Sequence, residues 1–313
     1  MAKTIKKERN RKHEKFLASI GLLMVSVIWG SAFVLMKNSM DVIMPTYLLA
    51  YRFTIAALGL FFIYWKTVKT MTRQDIFYGG ILGFFLFISF YFQTYGLKYT
   101  TASKNAFITT LYVIIVPFLH WLFNKAKPTK NHAMAAVIAV IALALLSLKG
   151  DRSINLGDFL TLICGFCYAI HMVLIDRYTV CYHPIKLTVM QMASAAFFAW
   201  IMAFIFEGPC DLSVFRESQT VISLLYLGLI SSMLCFLIQT IGQTYLSPNT
   251  SSILLSFESV FGLIFSVWFL KEDMTGKMLI GCGLMFLAAL LSEYSPSQNK
   301  KGIREEQEYQ AEA

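Results

Sequence analysis

The sequence predicts an all-α membrane protein of ten transmembrane helices, arranged as two inverted five-helix repeats. Three observations lead there. The first is composition. Of the 313 residues, 57% are hydrophobic and 14% charged, with a mean hydropathy of +0.61. Soluble domains have roughly 45–50% apolar and about 25% charged residues. The second is a series of ten apolar runs, at about 17–36, 46–65, 76–96, 103–124, 132–149, 157–175, 187–206, 220–241, 249–270 and 275–293. Each is close to the ~17–25 residues that a helix needs to cross a bilayer. The third is an internal repeat. Phe90-x-x-Gln93-Thr94-x-Gly96-x-x-Tyr99 returns 146 positions later as Phe236-x-x-Gln239-Thr240-x-Gly242-x-x-Tyr245.

The first run, Leu17–Met36, comes after a basic tail and lacks a clear small-residue cleavage site, so it reads as a retained helix and not a removed signal peptide. Turn signals separate the later runs: Pro45, Lys127-Pro128, Gly150-Asp151, His183-Pro184, Gly208-Pro209 and Ser247-Pro248. No connection is long enough for a soluble domain. The expected organisation is a basic cytoplasmic tail over 1–16, a first five-helix repeat over 17–149, a second over 150–293 and a charged cytoplasmic tail over 294–313. Both tails read as solvated and flexible. The repeat match runs ungapped from the third helix into the fifth, where Lys125 meets Lys271 and Thr129 meets Thr275. An odd number of crossings per repeat inserts the second half upside down, about a pseudo-two-fold axis in the membrane plane.

Charge sets the orientation. Residues 1–15 hold seven Lys and Arg. That excess puts both termini on the cytoplasmic side of the cell membrane. The net charge of +9 flanks apolar spans, and no soluble basic domain is present to hold a nucleic acid. Cys164-x-x-Cys167 has redox or metal spacing, yet it lies in an apolar run without a second ligand pair and reads as packing.

In its ordered motifs the chain resembles the ten-helix, EamA-type branch of the drug/metabolite transporter superfamily. The first helix reads Ile28-Trp29-Gly30-Ser31-Ala32-Phe33, followed by Lys37. The second carries Tyr51-Arg52-Phe53. The sixth opens Gly157-Asp158-Phe159-Leu160 and ends Leu174-Ile175-Asp176-Arg177. In the ninth, Glu258 stands where the family has Glu-Pro, but Ser259 comes next here. The resemblance covers about residues 17–293. It implies alternating access through a central cavity lined by helices one to four and six to nine, with helices five and ten at the periphery. It also implies a small-molecule substrate, from a range that includes amino acids, sugars, nucleotide-linked metabolites and drugs.

Intramembrane charge is costly, roughly 2.5–3.5 kcal/mol on insertion scales, and marks functional candidates. Glu258 sits about nine residues into the ninth run, near mid-depth. It could carry a proton in exchange for substrate, or pair structurally with a neighbouring helix. Arg52 could bind a carboxylate or phosphate, and a structural role is the favoured one, snorkelling to the interface or pairing with Asp41. His120 and His171 titrate near neutral pH in water, but lone membrane histidines are more often hydrogen-bonded packing residues. Gln93 and Gln239 either line the path at mirrored depths or stitch helices together. Trp29, Tyr112 and Tyr168 could build an aromatic wall. Gly79-x-x-x-Gly83 is a weak helix-packing signal.

No cofactor, metal or catalytic motif is legible. The leading function is a secondary transporter that exports a small polar metabolite, an amino acid or related compound, with protons as candidate coupling ion. An intramembrane enzyme or lipid-modifying protein would need paired catalytic groups at one depth, and the polar residues are scattered. A sensor would need a soluble signalling domain.

Overall fold

The computed structural model describes residues 2–125, 127–147, 155–209, 215–271 and 274–293. Every regular element among them is helical. We number ten helices along the chain: α1 Ala2–Ser39, α2 Pro45–Ile63, α3 Arg73–Tyr99, α4 Ala102–Asn124, α5 Lys130–Ser147, α6 Leu156–Thr179, α7 Pro184–Phe206, α8 Ser218–Gly242, α9 Pro248–Leu270 and α10 Gly276–Glu293. Eight are long and apolar enough to cross a membrane, and α5 and α10 carry shorter apolar stretches, Lys130–Ala142 and Gly276–Ala288. The basic amino tail is not the separate flexible segment expected. It continues α1 as helix from Ala2. The carboxyl tail from 294 and the boundary near residue 150 lie outside the described residues.

Helix starts follow from local chemistry. Proline opens α2 and α7, where its missing N–H costs nothing and its fixed φ suits the first turn. Thr72 and Asp75 form a capping box at α3, and Asn155 and Asp158 form one at α6. Thr101 and Ser247 cap α4 and α9 by accepting from Lys104 N and Thr250 N.

The repeat is visible in the elements themselves. Helix α4 is two segments, Ala102–Thr109 and Tyr112–Asn124. Helix α9 is also two, Pro248–Leu255 and Glu258–Leu270. Each bound recurs 146 positions on. Neither break contains Gly or Pro. At each, a hydroxyl turns back onto the carbonyl three residues earlier: Thr110 Oγ1 donates to Phe107 O at 2.8 Å, and Ser256 Oγ donates to Ile253 O at 2.7 Å. Such local bonds compete with the helical ladder. The two helices end alike too, on Lys125 (φ 51°) and Lys271 (φ 57°) in the left-handed region. Over the first two helices of each half the spacing is 139, as between Pro45 and Pro184.

Packing exchanges the halves. Helix α1 packs on α8 and α9, while α6 packs on α3 and α4; α2 packs on α8, while α3 packs on α7. The three self-pairs are α2 with α7, α4 with α9 and α5 with α10. This is the contact pattern of two repeats about a two-fold axis, with α5 and α10 at the edge. Close approach depends on small residues, as expected where lipid is as apolar as a side chain. A Cβ on Gly83 would meet the Gln191 carbonyl and Ser194 of α7, and one on Gly79 would meet Met190. The Gly79-x-x-x-Gly83 signal is therefore the α3–α7 contact.

Candidate functional site

A small cavity lies among α1, α2, α3, α4, α6, α8 and α9. Helix α7, expected to line it, contributes none of its wall residues. Five of the eight candidate residues line it: Trp29, Arg52, Gln93, Tyr168 and Glu258. Tyr112 lies behind this wall, fully buried, with its ring 5.2 Å from that of Tyr168. Its hydroxyl adjoins the Glu258 carboxyl without an aligned hydrogen bond. His171 and Gln239 are buried beyond the cavity.

Glu258 is the first residue of the second α9 segment, not an interior residue of one continuous helix. The break places its carboxylate at a helix N-terminus, where the helix dipole favours negative charge. It is 3% exposed, and its Oε1 has no hydrogen-bond partner among the described residues.

Arg52 is fully buried. It neither snorkels nor pairs with Asp41. Its Nε donates to Ser232 Oγ at 2.9 Å and its Nη2 to Ser231 Oγ at 3.2 Å. Nη1 contacts Met36 Sδ at 3.2 Å, and the guanidinium lies 4.8 Å from the centroid of the Phe90 ring. These partners are neutral. No ion pair joins Arg52 or Glu258 to any described residue. The serines belong to a π-helical stretch of α8, Tyr226–Leu234. Such wide turns cluster at functional sites. Here one of its carbonyls, Ser231 O, accepts from Trp29 Nε1 at 2.8 Å. Sequence reading missed both serines, since nothing in Ser231-Ser232 distinguishes a charge partner from packing.

On the far side, the polar groups bond to one another. Tyr168 Oη donates to Gln239 Oε1 at 3.0 Å, Gln239 Nε2 to Gln243 Oε1 at 3.2 Å, and Gln243 Nε2 to Met172 O at 3.0 Å. His171 Nε2 pairs with Gln191 Oε1 at 2.9 Å, and Gln191 Nε2 donates to Thr240 Oγ1 at 3.2 Å. Gln93 is held more lightly, donating to Thr109 Oγ1 at 3.3 Å. His120 faces Asp176 at 3.6 Å, away from the cavity wall.

The repeat explains this division. Trp29 and Arg52 correspond, 139 positions on, to Tyr168 and Gln191. Phe90, Gln93 and Tyr112 correspond, 146 positions on, to Phe236, Gln239 and Glu258. Three of these pairs meet. Trp29 and Tyr168 have centroids 6.0 Å apart, Phe90 and Phe236 5.8 Å apart, and Tyr112 adjoins Glu258. The pseudo-two-fold axis therefore passes through the site. Arg52 and Gln93 border open space, while their counterparts Gln191 and Gln239 are packed.

Eight membrane-spanning and two shorter apolar helices in two repeats, with a buried cavity on the axis that relates them, define a membrane transport protein by class. The chain belongs to the EamA-like transporter family, whose model matches residues 16–148 and 155–294. It is similar to an "Uncharacterized transporter" of Archaeoglobus fulgidus, 31% identical over 89% of this chain and 86% of that one. It is also similar to "Uncharacterized transporter YoaV" of Bacillus subtilis, 23% identical over 90% of this chain and 98% of that one. A solved crystal structure matches with a TM-score of 0.71 over 88% of this chain and 96% of that one; at 16% identity the likeness concerns the fold alone.

Proposed function

We propose that the protein is a secondary transporter that moves a small polar metabolite, an amino acid or related compound, out of the cell. It works by alternating access across the cytoplasmic membrane, with both termini in the cytoplasm. Glu258 carries a proton inward in exchange for substrate. The observation that carries this reading is the asymmetry about the axis. Arg52 and Gln93 border the cavity, and their repeat counterparts Gln191 and Gln239 are locked in hydrogen bonds on the other side. Exchanging the two packings would close the present cavity and open its mirror image around Gln191, His171 and Gln239. A carboxyl buried on the axis can be reached from both sides in turn, and there a proton and a cationic group compete for one charge.

The test is flux. Purified protein in liposomes should move candidate metabolites down a gradient, and an imposed proton gradient should drive uphill movement. Proton-driven uphill flux in wild type and its loss in Glu258→Gln are the expected results. Chemical turnover without solute movement would overturn the reading in favour of an intramembrane enzyme.

A further inference from the structure

We infer that Lys37 and Glu207 gate the cavity on the face opposite the amino terminus, as two charged latches that hold its mouth narrow and must let go for it to open. This rests on the transport reading above and names the contacts that break in that cycle.

The packing sorts the helices around the cavity into two bodies. Helices α1, α2, α8 and α9 form one, and α3, α4, α6 and α7 form the other, each with two helices from either repeat. The cavity wall is drawn from both. Its two ends therefore open or close with the bonds that cross between the bodies. Toward the amino-terminal face the bonds nearest the cavity are neutral: Tyr168 to Gln239, Gln191 to Thr240, and Gln243 to the Met172 carbonyl. At the opposite face two crossings are charged. Lys37, at the end of α1, reaches the end of α3, where its Nζ donates to Leu97 O at 2.8 Å and Thr100 O at 3.1 Å. Glu207, at the end of α7, reaches the start of α2. Its Oε1 accepts from Thr46 N at 2.9 Å and its Oε2 from Tyr47 N at 3.1 Å. Tyr95 Oη of α3 donates to the same carboxylate at 2.7 Å.

Each charge sits on the helix pole that attracts it. The last carbonyls of a helix lack intrahelical partners and carry its negative end, and the first amides lack partners and carry its positive end. Hydrogen bonds to an ionised group are also the stronger kind. Both latches can be exchanged for water at an open mouth, which an apolar seal cannot. Position ties them to the cavity. Phe33 and Gln93 line it. Lys37 and Leu97 stand four residues further along the same two helices, so the Lys37 bridge spans α1 and α3 about one turn, ~5 Å, beyond the wall. The repeat does not reproduce this bridge. The counterpart of Lys37, 139 positions on, is Asp176, which faces His120 within a single body at 3.6 Å. The two mouths are thus held by different chemistry.

The experiment is thiol labelling of the full chain in a background without cysteine. A bulky impermeant maleimide is applied to Gln93→Cys on intact cells, and to Gln239→Cys in inside-out vesicles. Lys37→Met and Glu207→Gln should each raise the rate at Gln93→Cys roughly tenfold, the scale of one charge-assisted hydrogen bond. Neither should raise it at Gln239→Cys. Lys37→Arg keeps the charge on the same carbonyls and should label like wild type. Unchanged rates at Gln93→Cys in variants that melt like wild type overturn the inference. So does an equal rise at both positions, which is general loosening after loss of a helix cap. Glu207→Gln decides alone if Lys37→Met fails to insert. Solute flux in liposomes separates this from the broader reading. Flux with unchanged labelling leaves a transporter without these latches, and the labelling changes without flux of any solute leave the latches and remove the transporter.

Discussion

Two glycines of α3, three residues apart, should respond oppositely to the same substitution. A Cβ built on Gly83 falls 2.5 Å from Ser194 Cβ and closer still to the Gln191 carbonyl, both on α7. Favourable carbon contacts lie at about 3.5–4.0 Å, so Gly83→Ala must push α3 and α7 apart by about 1 Å. Overpacking of this kind costs about 1–3 kcal/mol. A Cβ on Gly80 meets nothing within 4 Å. Gly80→Ala should therefore gain up to about 1 kcal/mol of helix propensity. The propensity gain is common to both, so the two variants should differ by the overpacking cost, about 1–3 kcal/mol. At roughly 2 °C per kcal/mol for a chain of this size, their melting temperatures in detergent should lie about 2–6 °C apart. The contact matters for the site because α3 carries Ser89, Phe90 and Gln93 into the cavity wall. Tryptophan-fluorescence melting of the two variants and wild type is the assay. Equal melting of both variants would show that α3 and α7 are not packed this closely in the purified protein.

In a background without cysteine, Gln93→Cys should label readily with a small thiol reagent while Gln239→Cys stays protected. A mutation that locks the opposite state should exchange the two, and parallel changes at both positions would point to a continuous pore. Glu258→Gln should keep wild-type insertion and melting while cutting flux at least tenfold and flattening its pH dependence; an unchanged pH profile would remove Glu258 from coupling. A variant retaining only Cys210, which lies outside the described residues, should react with an impermeant thiol reagent on intact cells. Protection there together with an amino-terminal reporter active outside would reverse the orientation.

Much of the fold was legible because its determinants are local. The apolar runs, the proline turn signals between them, and the repeat of Gln93 at Gln239 are all read along the chain. Glu258 stood out because charge in an apolar run is rare. Features that depend on another helix could not be read this way. The partners of Arg52 come from Ser231 and Ser232, some 180 positions away. Serine in a membrane helix looks alike whether it bonds its own carbonyl or a foreign guanidinium. The breaks in α4 and α9 were equally hidden, since they rest on Thr110 and Ser256 where Gly or Pro would have announced them. The amino tail misled for the reverse reason. Its charge density suggested a loose segment, yet Lys, Arg and Glu are good helix formers and simply extend α1.

The two spacings of the repeat also say where the chain can change length. From α3 onward the halves stay in step at 146, through both breaks and to the ends of α5 and α10. One residue inserted ahead of either break would rotate the second segment of that helix by about 100° and advance it by about 1.5 Å. Tyr112 or Glu258 would then leave the axis. The seven positions by which 146 exceeds 139 are taken up elsewhere. Helix α7 has 23 residues where α2 has 19, and the α7–α8 connection is longer than its counterpart between α2 and α3. That stretch is the expansion joint of the molecule, and it is there that an epitope or a fluorophore can be spliced in while both halves of the site keep their alignment.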